Sequence, residues 1–161
     1  MEFEIGSADI LNVEDVELLA LLTEVYVDAG FTNPDEAVSL FDPSAVRNRG
    51  MLIAAREKQQ HLLAGMIIVV PPDSLARRLA KGNEAEIHLL AVKSEYRRHG
   101  LGRKLVESAI HKAKQSGYSK IILWTQTAMQ PAQKLYESTG FVHVDQMQRN
   151  GRDFKVYEMI F

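Results

Sequence analysis

The hydrophobic period of the chain changes at Leu101 from that of a strand to that of a helix. Residues 86–92 form a nearly continuous apolar run, which is typical of a buried strand. From Leu101 onward the apolar residues recur every three or four positions, as on the inner face of an amphipathic helix that ends at Gly117. A buried strand that leads into such a helix requires a sheet with at least one helix packed on it.

The same patterns predict the remaining elements. The first helix is capped by Asn12 or Asp15 and ends near Ala29, with an inner stripe of Val16, Leu19, Ala20, Leu22, Val25 and Tyr26. Further helices are predicted from Pro34, over a short segment at 75–81, and over 131–138. Strands are predicted at residues 3–6, 51–55, 62–70, 121–125, 141–148 and 154–160, the last two joined at Asn150-Gly151. This order predicts a mixed α+β fold around one sheet, in a single domain covering residues 1–161.

Composition excludes several classes of function. The 161 residues include no cysteine, which excludes disulfides, thiolate metal sites and a cysteine nucleophile. His61, His111 and His143 lack the spacing of metal ligands, so no metal is expected. No apolar run approaches the roughly 20 residues of a membrane span, and the acidic N-terminus has no secretory signal pattern. We therefore expect a cytoplasmic protein without a membrane partner.

Charge is distributed unevenly along the chain. The formal net charge of -2 argues against a nucleic-acid partner bound by a positive field. Residues 1–50 carry eleven acids against Arg47 and Arg49, whereas the remaining residues carry seventeen bases against ten acids. This asymmetry would suit a cationic partner at the acidic end. The alternative is that the acids are solvated on the outer faces of helices.

The turn before the amphipathic helix has the properties of an anion site. The segment from Lys93 to Lys104 contains five bases and one acid. Gly100 and Gly102 allow backbone amides to approach a ligand at the positive end of the helix dipole. Phosphate is the expected ligand, because it accepts charge-assisted hydrogen bonds from such groups.

Spacing decides between three phosphate-binding motifs. A Walker P-loop is absent, and a Rossmann fingerprint fails because Leu105 and Thr125 stand where a small residue and an acid are needed. The pattern that fits is Arg-x-x-Gly-x-Gly, present as Arg97-Arg98-His99-Gly100-Leu101-Gly102. It resembles the pyrophosphate loop of the GNAT superfamily of acyl-CoA-dependent N-acetyltransferases. Residues 85–92 are similar to the family's fourth strand, and Leu135-Tyr136-Glu137-Ser138-Thr139-Gly140-Phe141 is similar to its Leu-Tyr-x-x-x-Gly-Phe segment.

The resemblance implies an α/β/α layered fold with a mixed, mostly antiparallel sheet. It also implies acetyl-CoA as cosubstrate and the amine of a small molecule or peptide as acceptor. The implied pyrophosphate contacts are Arg97 and the backbones of Arg98, His99, Gly100, Leu101, Gly102 and Arg103. The implied pantetheine contacts are the backbones of Leu90, Ala91 and Val92, along which the cofactor lies as an added strand. Met129 stands where many members have asparagine, and Thr127 or Gln130 is the candidate replacement.

Acetyl transfer needs a neutral amine, a stabilised oxyanion and a proton for the leaving thiolate. Tyr136 resembles the family's general acid, since a phenol keeps its proton at neutral pH. Glu86 is the first candidate for the base that deprotonates the amine, as in some relatives. Strand alternation places His88 on the same face as Glu86, so His88 is the second candidate, and a water chain is the third. The amide of Leu90 or Ala91 is the candidate oxyanion donor.

Several alternatives remain open at this level. The chain could be a non-catalytic acyl-CoA sensor, although Tyr136 argues against that reading. The acid-rich first fifty residues favour a cationic acceptor such as a polyamine, an aminoglycoside or a lysine side chain. The pairs Arg77-Arg78 and Arg47-x-Arg49 could instead contact a cofactor phosphate or an anionic acceptor, or serve only solubility. Trp124 is expected in the core, and the C-terminal strands could support a homodimer.

Overall fold

The computed structural model describes all residues 1–161 and contains seven strands in one sheet. The strands are β1 (Phe3–Ser7), β2 (Met51–Glu57), β3 (Leu63–Val70), β4 (Glu84–Val92), β5 (Lys120–Gln126), β6 (Val142–Arg149) and β7 (Arg152–Ile160). Their order in the sheet is β1-β2-β3-β4-β5-β7-β6. All neighbouring pairs are antiparallel except β4 and β5.

Five α-helices cover the two faces of this sheet. They are α1 (Asp15–Leu22), α2 (Pro34–Leu40), α3 (Pro43–Asn48), α4 (Leu101–Gln115) and α5 (Gln130–Ser138). A π-helical turn (Thr23–Val27) continues α1, and a 3-10 turn (Ser94–Tyr96) precedes the loop that leads to α4. The α/β/α layers confirm the predicted fold class. No helix of the structure combines the length and apolarity that crossing a bilayer requires.

Alternation along β3 divides the core into two halves. Ile67 and Val69 face one side and pack with residues of α4 and α5, whereas Met66 and Ile68 face the other side and pack with α1 and α3. All eight residues of β3 are buried. A central strand covered on both faces has to be apolar throughout, which explains the continuous hydrophobic run that predicted it.

The first helix begins and packs differently from the prediction. Glu14 is the N-cap residue, and its capping box with Glu17 sets the first turn, rather than Asn12 or Asp15. This frame turns Leu18 and Leu21 into the core and leaves Val16, Leu19 and Ala20 exposed. The inner stripe predicted for this helix was therefore wrong at Val16, Leu19 and Ala20 and right at Leu22 and Val25.

The helix predicted at 75–81 was wrong, because these residues form turns. The backbone N–H groups of Arg78, Leu79 and Ala80 donate to one carboxylate oxygen of Glu86, so they are not available for helical hydrogen bonds. Helix α3 was not predicted, although Asp42 caps it in the ordinary way by accepting from the N–H of Ala45 at 3.1 Å.

Candidate active site

Strands β4 and β5 separate after a short stretch of pairing. Only Glu84, Ala85 and Glu86 pair with β5, so from residue 87 onward the two strands diverge. A β-bulge bends β4 at this point, because Leu89 and Leu90 together oppose the single residue Ile67 of β3. Leu89 takes a φ of 52°, which is uncommon for a leucine. The result is a gap in the middle of the sheet.

The backbone at this gap alternates between β3 and the open side. The Tyr26 hydroxyl donates to the carbonyl of Leu90 at 2.7 Å, and Nε of Arg97 donates to the carbonyl of Val92 at 3.2 Å. Lys93 N–H donates instead to Ala64 of β3. By alternation Ala91 also faces β3, so Leu90 and Val92 are the predicted pantetheine residues whose backbone groups face away from β3.

The predicted pyrophosphate loop leads directly into α4. Gly100 is the N-cap residue with φ 74°, and no side chain caps this helix. The backbone N–H groups of residues 98–103 make no hydrogen bond within the chain. These six unpaired donors at the positive end of a 15-residue helix form a cradle suited to an anion, and binding of the pyrophosphate there stays a prediction.

Each glycine of this loop has its own structural reason. A Cβ at Gly100 would meet nothing within 4 Å, so the left-handed backbone conformation is what selects glycine there. Gly102 has an ordinary φ, but a Cβ would lie 3.1 Å from Cδ2 of Leu135 on α5. The second glycine therefore allows the first turn of α4 to pack closely against α5.

Tyr136 projects from α5 into a cleft of about 230 Å³ at the gap. Its ring packs edge-on against Phe141 at a centroid distance of 5.9 Å. The hydroxyl makes no hydrogen bond within the chain. Since no inaccessible side-chain oxygen lacks a partner, this oxygen is accessible from the cleft. Burial of the ring raises the pKa of Tyr136 well above the usual value, and the neighbouring Tyr26 adds to this shift. The hydroxyl is therefore protonated at neutral pH and faces the cleft.

Tyr26 lies across the cleft from Tyr136, on the π-helical turn after α1. Such turns insert an extra residue and often occur at functional sites. Burial raises the pKa of Tyr26, and the nearby Arg49 guanidinium opposes that shift. The hydrogen bond of Tyr26 to Leu90 ties this turn to the β4 bulge.

Glu86, His88 and Arg49 form a hydrogen-bonded series. Glu86 is completely buried, and its second carboxylate oxygen lies 2.8 Å from Nε2 of His88. Nδ1 of His88 lies 3.3 Å from Nη1 of Arg49. A guanidinium can only donate, so Nδ1 accepts and Nε2–H donates to Glu86. Both oxygens of Glu86 and both ring nitrogens of His88 are thus engaged.

Trp124 and several other lining residues of the cleft were not assigned to it from the sequence, whereas Arg49 and Arg78 were named there only as possible contacts of a phosphate or an anionic acceptor. Trp124, expected in the core, is only half-buried; it lines the cleft and contacts His88 edge-on at 5.0 Å between centroids. Burial lowers the pKa of Arg49, whose Nη2 donates to the carbonyl of Leu40 at 2.9 Å. The strand pattern at Trp124 gave no sign of the gap beside it. The other lining residues include Phe31, Glu36, Phe41, Arg78, Met129, Ala132, Arg149 and Arg152.

The family model described as "Acetyltransferase (GNAT) family" matches residues 16–141. The chain belongs to the GNAT acetyltransferase family. The match includes β4, the loop, α4, β5 and α5, which together build the gap and the anion cradle. The GNAT resemblance inferred from three short segments is confirmed over most of the chain.

Individual proteins support the same GNAT assignment. N-acetyltransferase 8 of Homo sapiens is 33% identical over 98 residues, which are 61% of this chain and 41% of that protein. N-alpha-acetyltransferase 30 of Saccharomyces cerevisiae is 43% identical over 63 residues, which are 39% of this chain and 36% of that protein. The matches to such curated relatives thus span about two fifths of their length or less. A chain of the NatC complex, solved with Gag peptide and CoA, superposes with a TM-score of 0.70 and 25% identity, covering 100% of this chain and 99% of that chain.

Proposed function

We propose that the protein transfers the acetyl group of acetyl-CoA to a primary amine of a small-molecule or peptide acceptor. The observation that carries this proposal is the row of unpaired backbone N–H groups at residues 98–103, at the end of the gap between β4 and β5. The pyrophosphate of the cofactor would accept from these groups, with Arg97, Arg98 and Arg103 adding positive charge. The pantetheine arm would lie along Leu90 and Val92, which offer backbone groups to the gap.

The reaction is direct attack in a ternary complex. The amine nitrogen forms a bond to the thioester carbonyl carbon, and the carbon–sulfur bond breaks. Tyr136 gives its proton to the departing thiolate and regains one from solvent, while the amine loses a proton. The backbone N–H of Leu90, on the open side of β4, is the candidate donor to the oxyanion. The raised pKa of Tyr136 keeps its hydroxyl protonated for this role.

The proposed roles of Glu86 and His88 differ from the expected ones. A base must reach the amine with a free lone pair, but the Glu86 carboxylate is enclosed by the N–H groups of residues 78–80 and by His88. His88 holds Arg49 through its other nitrogen. We therefore assign both residues to positioning Arg49 and Trp124 at the cleft. Deprotonation of the amine then falls to the water chain that the sequence left as the third candidate.

Calorimetry and an amine acetylation assay test the proposal. CoA should bind and raise the melting temperature, whereas ATP and NAD should do neither. A panel of primary amines with acetyl-CoA should release free thiol only when an acceptor is present. Binding of CoA without acetylation of any amine would favour the alternative, a non-catalytic acyl-CoA sensor.

Three expectations about the whole protein remain predictions. We propose that residues 1–161 act as one domain, because strands from both ends of the chain enter one sheet. Strand β6 forms one edge of that sheet, with Val142 and Val144 exposed, and is the candidate surface for a homodimer. Light scattering of the purified protein tests this dimer. The cytoplasmic location is tested by fractionating cells that express the protein.

A further inference from the structure

The cleft contains a concentration of arginines without carboxylate partners. Four arginines line the cleft, and none of them forms an ion pair with an aspartate or glutamate of the chain. Arg47 and Arg56, which lie outside the cleft, pair instead with Asp15 and Glu17 at 2.9 and 2.8 Å. The four cleft arginines are Arg49, Arg78, Arg149 and Arg152.

The acidic residues do not compensate for this charge. Of the eleven acids in residues 1–50, only Glu36 lines the cleft. Others are engaged elsewhere on the surface, such as Glu24, which accepts from Lys93 and from the N–H of Ser94. The expectation of a cationic acceptor, drawn from the acid-rich first fifty residues, is therefore not supported by the cleft itself. Four guanidinium groups against one carboxylate favour an anion there.

These arginines do not belong to the cofactor phosphate site. No residue of the loop from Lys93 to Lys104 lines the cleft. That loop has its own cations in Arg97, Arg98 and Arg103 and its own backbone donors at residues 98–103. The anion that the cleft arginines would bind is thus carried by the acceptor rather than by the cofactor.

Arg49 is the cleft arginine whose guanidinium contacts a side chain of β4, at 3.3 Å between Nη1 and Nδ1 of His88. Its bonds to Leu40 and His88 use two of its five N–H donors, which leaves three for a ligand. Its charge acts on Tyr26, whose hydroxyl lies 2.7 Å from the Leu90 carbonyl at the bulge. Arg49 is half-buried and has no carboxylate in direct contact, because His88 separates it from Glu86, so a bound anion would offset the cost of its burial.

We propose that the acceptor is a free α-amino acid, whose carboxylate binds Arg49 while its amine faces the thioester. The proposal rests on the proposed acetyltransferase function and narrows it. Arg49 contacts His88, the residue directly before the bulge, and this placement favours a carboxylate on the carbon next to the amine. Arg78, Arg149 and Arg152 add positive potential around the side chain of the acceptor, so acidic amino acids are preferred to basic ones.

A matched acceptor panel tests the carboxylate. The rates with L-alanine, L-alaninamide, L-aspartate and L-lysine are compared under saturating acetyl-CoA, with thiol release as readout. The acid should exceed its amide in kcat/KM by about tenfold or more, since truncating one partner of an ion pair costs at least that factor. The kcat/KM for acetylation of the α-amine should be higher with aspartate than with lysine. Equal rates for acid and amide, or a preference for cationic amines or for peptide N-termini, would overturn the inference and leave the acetyltransferase function intact.

Paired arginine variants test the residues. Arg49→Gln should raise the KM of alanine about tenfold more than the KM of alaninamide, with little change in the Kd of CoA. Arg77→Gln is the control, since this neighbour of Arg78 is exposed and donates to the Pro72 carbonyl outside the cleft. If Arg49→Gln does not fold, Arg78→Gln and Arg152→Gln decide, because each should reduce the preference for aspartate over lysine. An unchanged preference in both would contradict the inference, whereas no turnover of any amine would contradict the acetyltransferase function itself.

Discussion

Glu86 and His88 lie two residues apart on one face of β4, and their side chains meet at 2.8 Å between Oε2 and Nε2. The carboxylate is shielded from solvent and accepts three further backbone hydrogen bonds from residues 78–80. One side chain thus fixes both a surface turn and the orientation of the imidazole. The orientation of that ring in turn leaves Nδ1 facing Arg49.

Replacing Glu86 by glutamine should disturb the hydrogen bonds between residue 86, His88 and Arg49 more than it affects the acetyl-transfer step. The glutamine NH2 would face the N–H of His88, so the histidine would have to change tautomer and direct a proton at Arg49. We expect the free energy of unfolding to fall by about 2 kcal/mol and the KM of the acceptor to rise, with the Kd of CoA unchanged. Glu84→Gln is the control on the same strand. Glu86 would instead be identified as the base if kcat fell, the KM of the acceptor stayed unchanged and the pH profile of kcat lost its acidic limb.

Removing the Tyr136 hydroxyl should reduce turnover without affecting cofactor binding. Tyr136→Phe keeps the ring that packs on Phe141 and loses the proton for the thiolate. We expect kcat to fall by about tenfold or more, with the Kd of CoA and the melting temperature nearly unchanged. Because burial raises the pKa of Tyr136, the wild-type rate should not decline up to about pH 10 through loss of this proton.

Tyr118→Phe is the control for that variant, since Tyr118 packs against the same core outside the cleft. Equal turnover of Tyr136→Phe and wild type would demote Tyr136 to a packing residue.

Two glycines at opposite ends of α4 offer a matched test of the anion cradle. Gly100 and Gly117 have φ values of 74° and 78°, and a Cβ at either would meet nothing within 4 Å. Alanine at either position should cost about 1 kcal/mol of stability because of the left-handed conformation. Only Gly100→Ala should weaken CoA binding, by about tenfold, as measured by calorimetry. Equal CoA affinity in the two variants would argue against phosphate binding at residues 98–103.

A pH dependence of stability is expected from Glu17. Arg56 donates to both carboxylate oxygens of Glu17 at 2.8 and 2.9 Å, and these hydrogen bonds hold the pKa of Glu17 below its usual 4.5. A lowered pKa in the folded state stabilises the protein above the unfolded pKa, and this contribution is lost as pH falls through the folded pKa. Glu17→Gln should therefore cost about 1 kcal/mol at pH 7, and this cost should shrink as the pH falls below the usual 4.5.

Denaturant unfolding at several pH values measures the Glu17 effect, with Glu4→Gln as the control because Glu4 forms no ion pair. A difference between Glu17→Gln and wild type that does not shrink as the pH is lowered would contradict the assignment to ionisation.

The local sequence pattern was sufficient to predict elements whose structure depends only on neighbouring residues. The strand at residues 86–92, the helix after Gly100 and the hairpin at Asn150-Gly151 were predicted from sequence, because periodicity and turn chemistry act within a few residues. The loop that offers its N–H groups as donors was predicted for the same reason. The helix predicted at 75–81 failed because the partner that decided it, Glu86, is a carboxylate on another element.

The fold class and the family followed from contiguous motifs and from local periodicity, and so did the prediction of unpaired N–H donors at residues 98–103. The charges that face the cleft follow from the folded arrangement of the sheet rather than from local pattern. Arg49, Arg152 and Glu36 are far apart in the chain, and strand divergence after Glu86 brings them around one space. Net charge over fifty residues suggested a cationic acceptor, whereas the cleft has four unpaired arginines. The electrostatic field in a site depends on the few groups that line it, and their assembly is a property of the folded sheet.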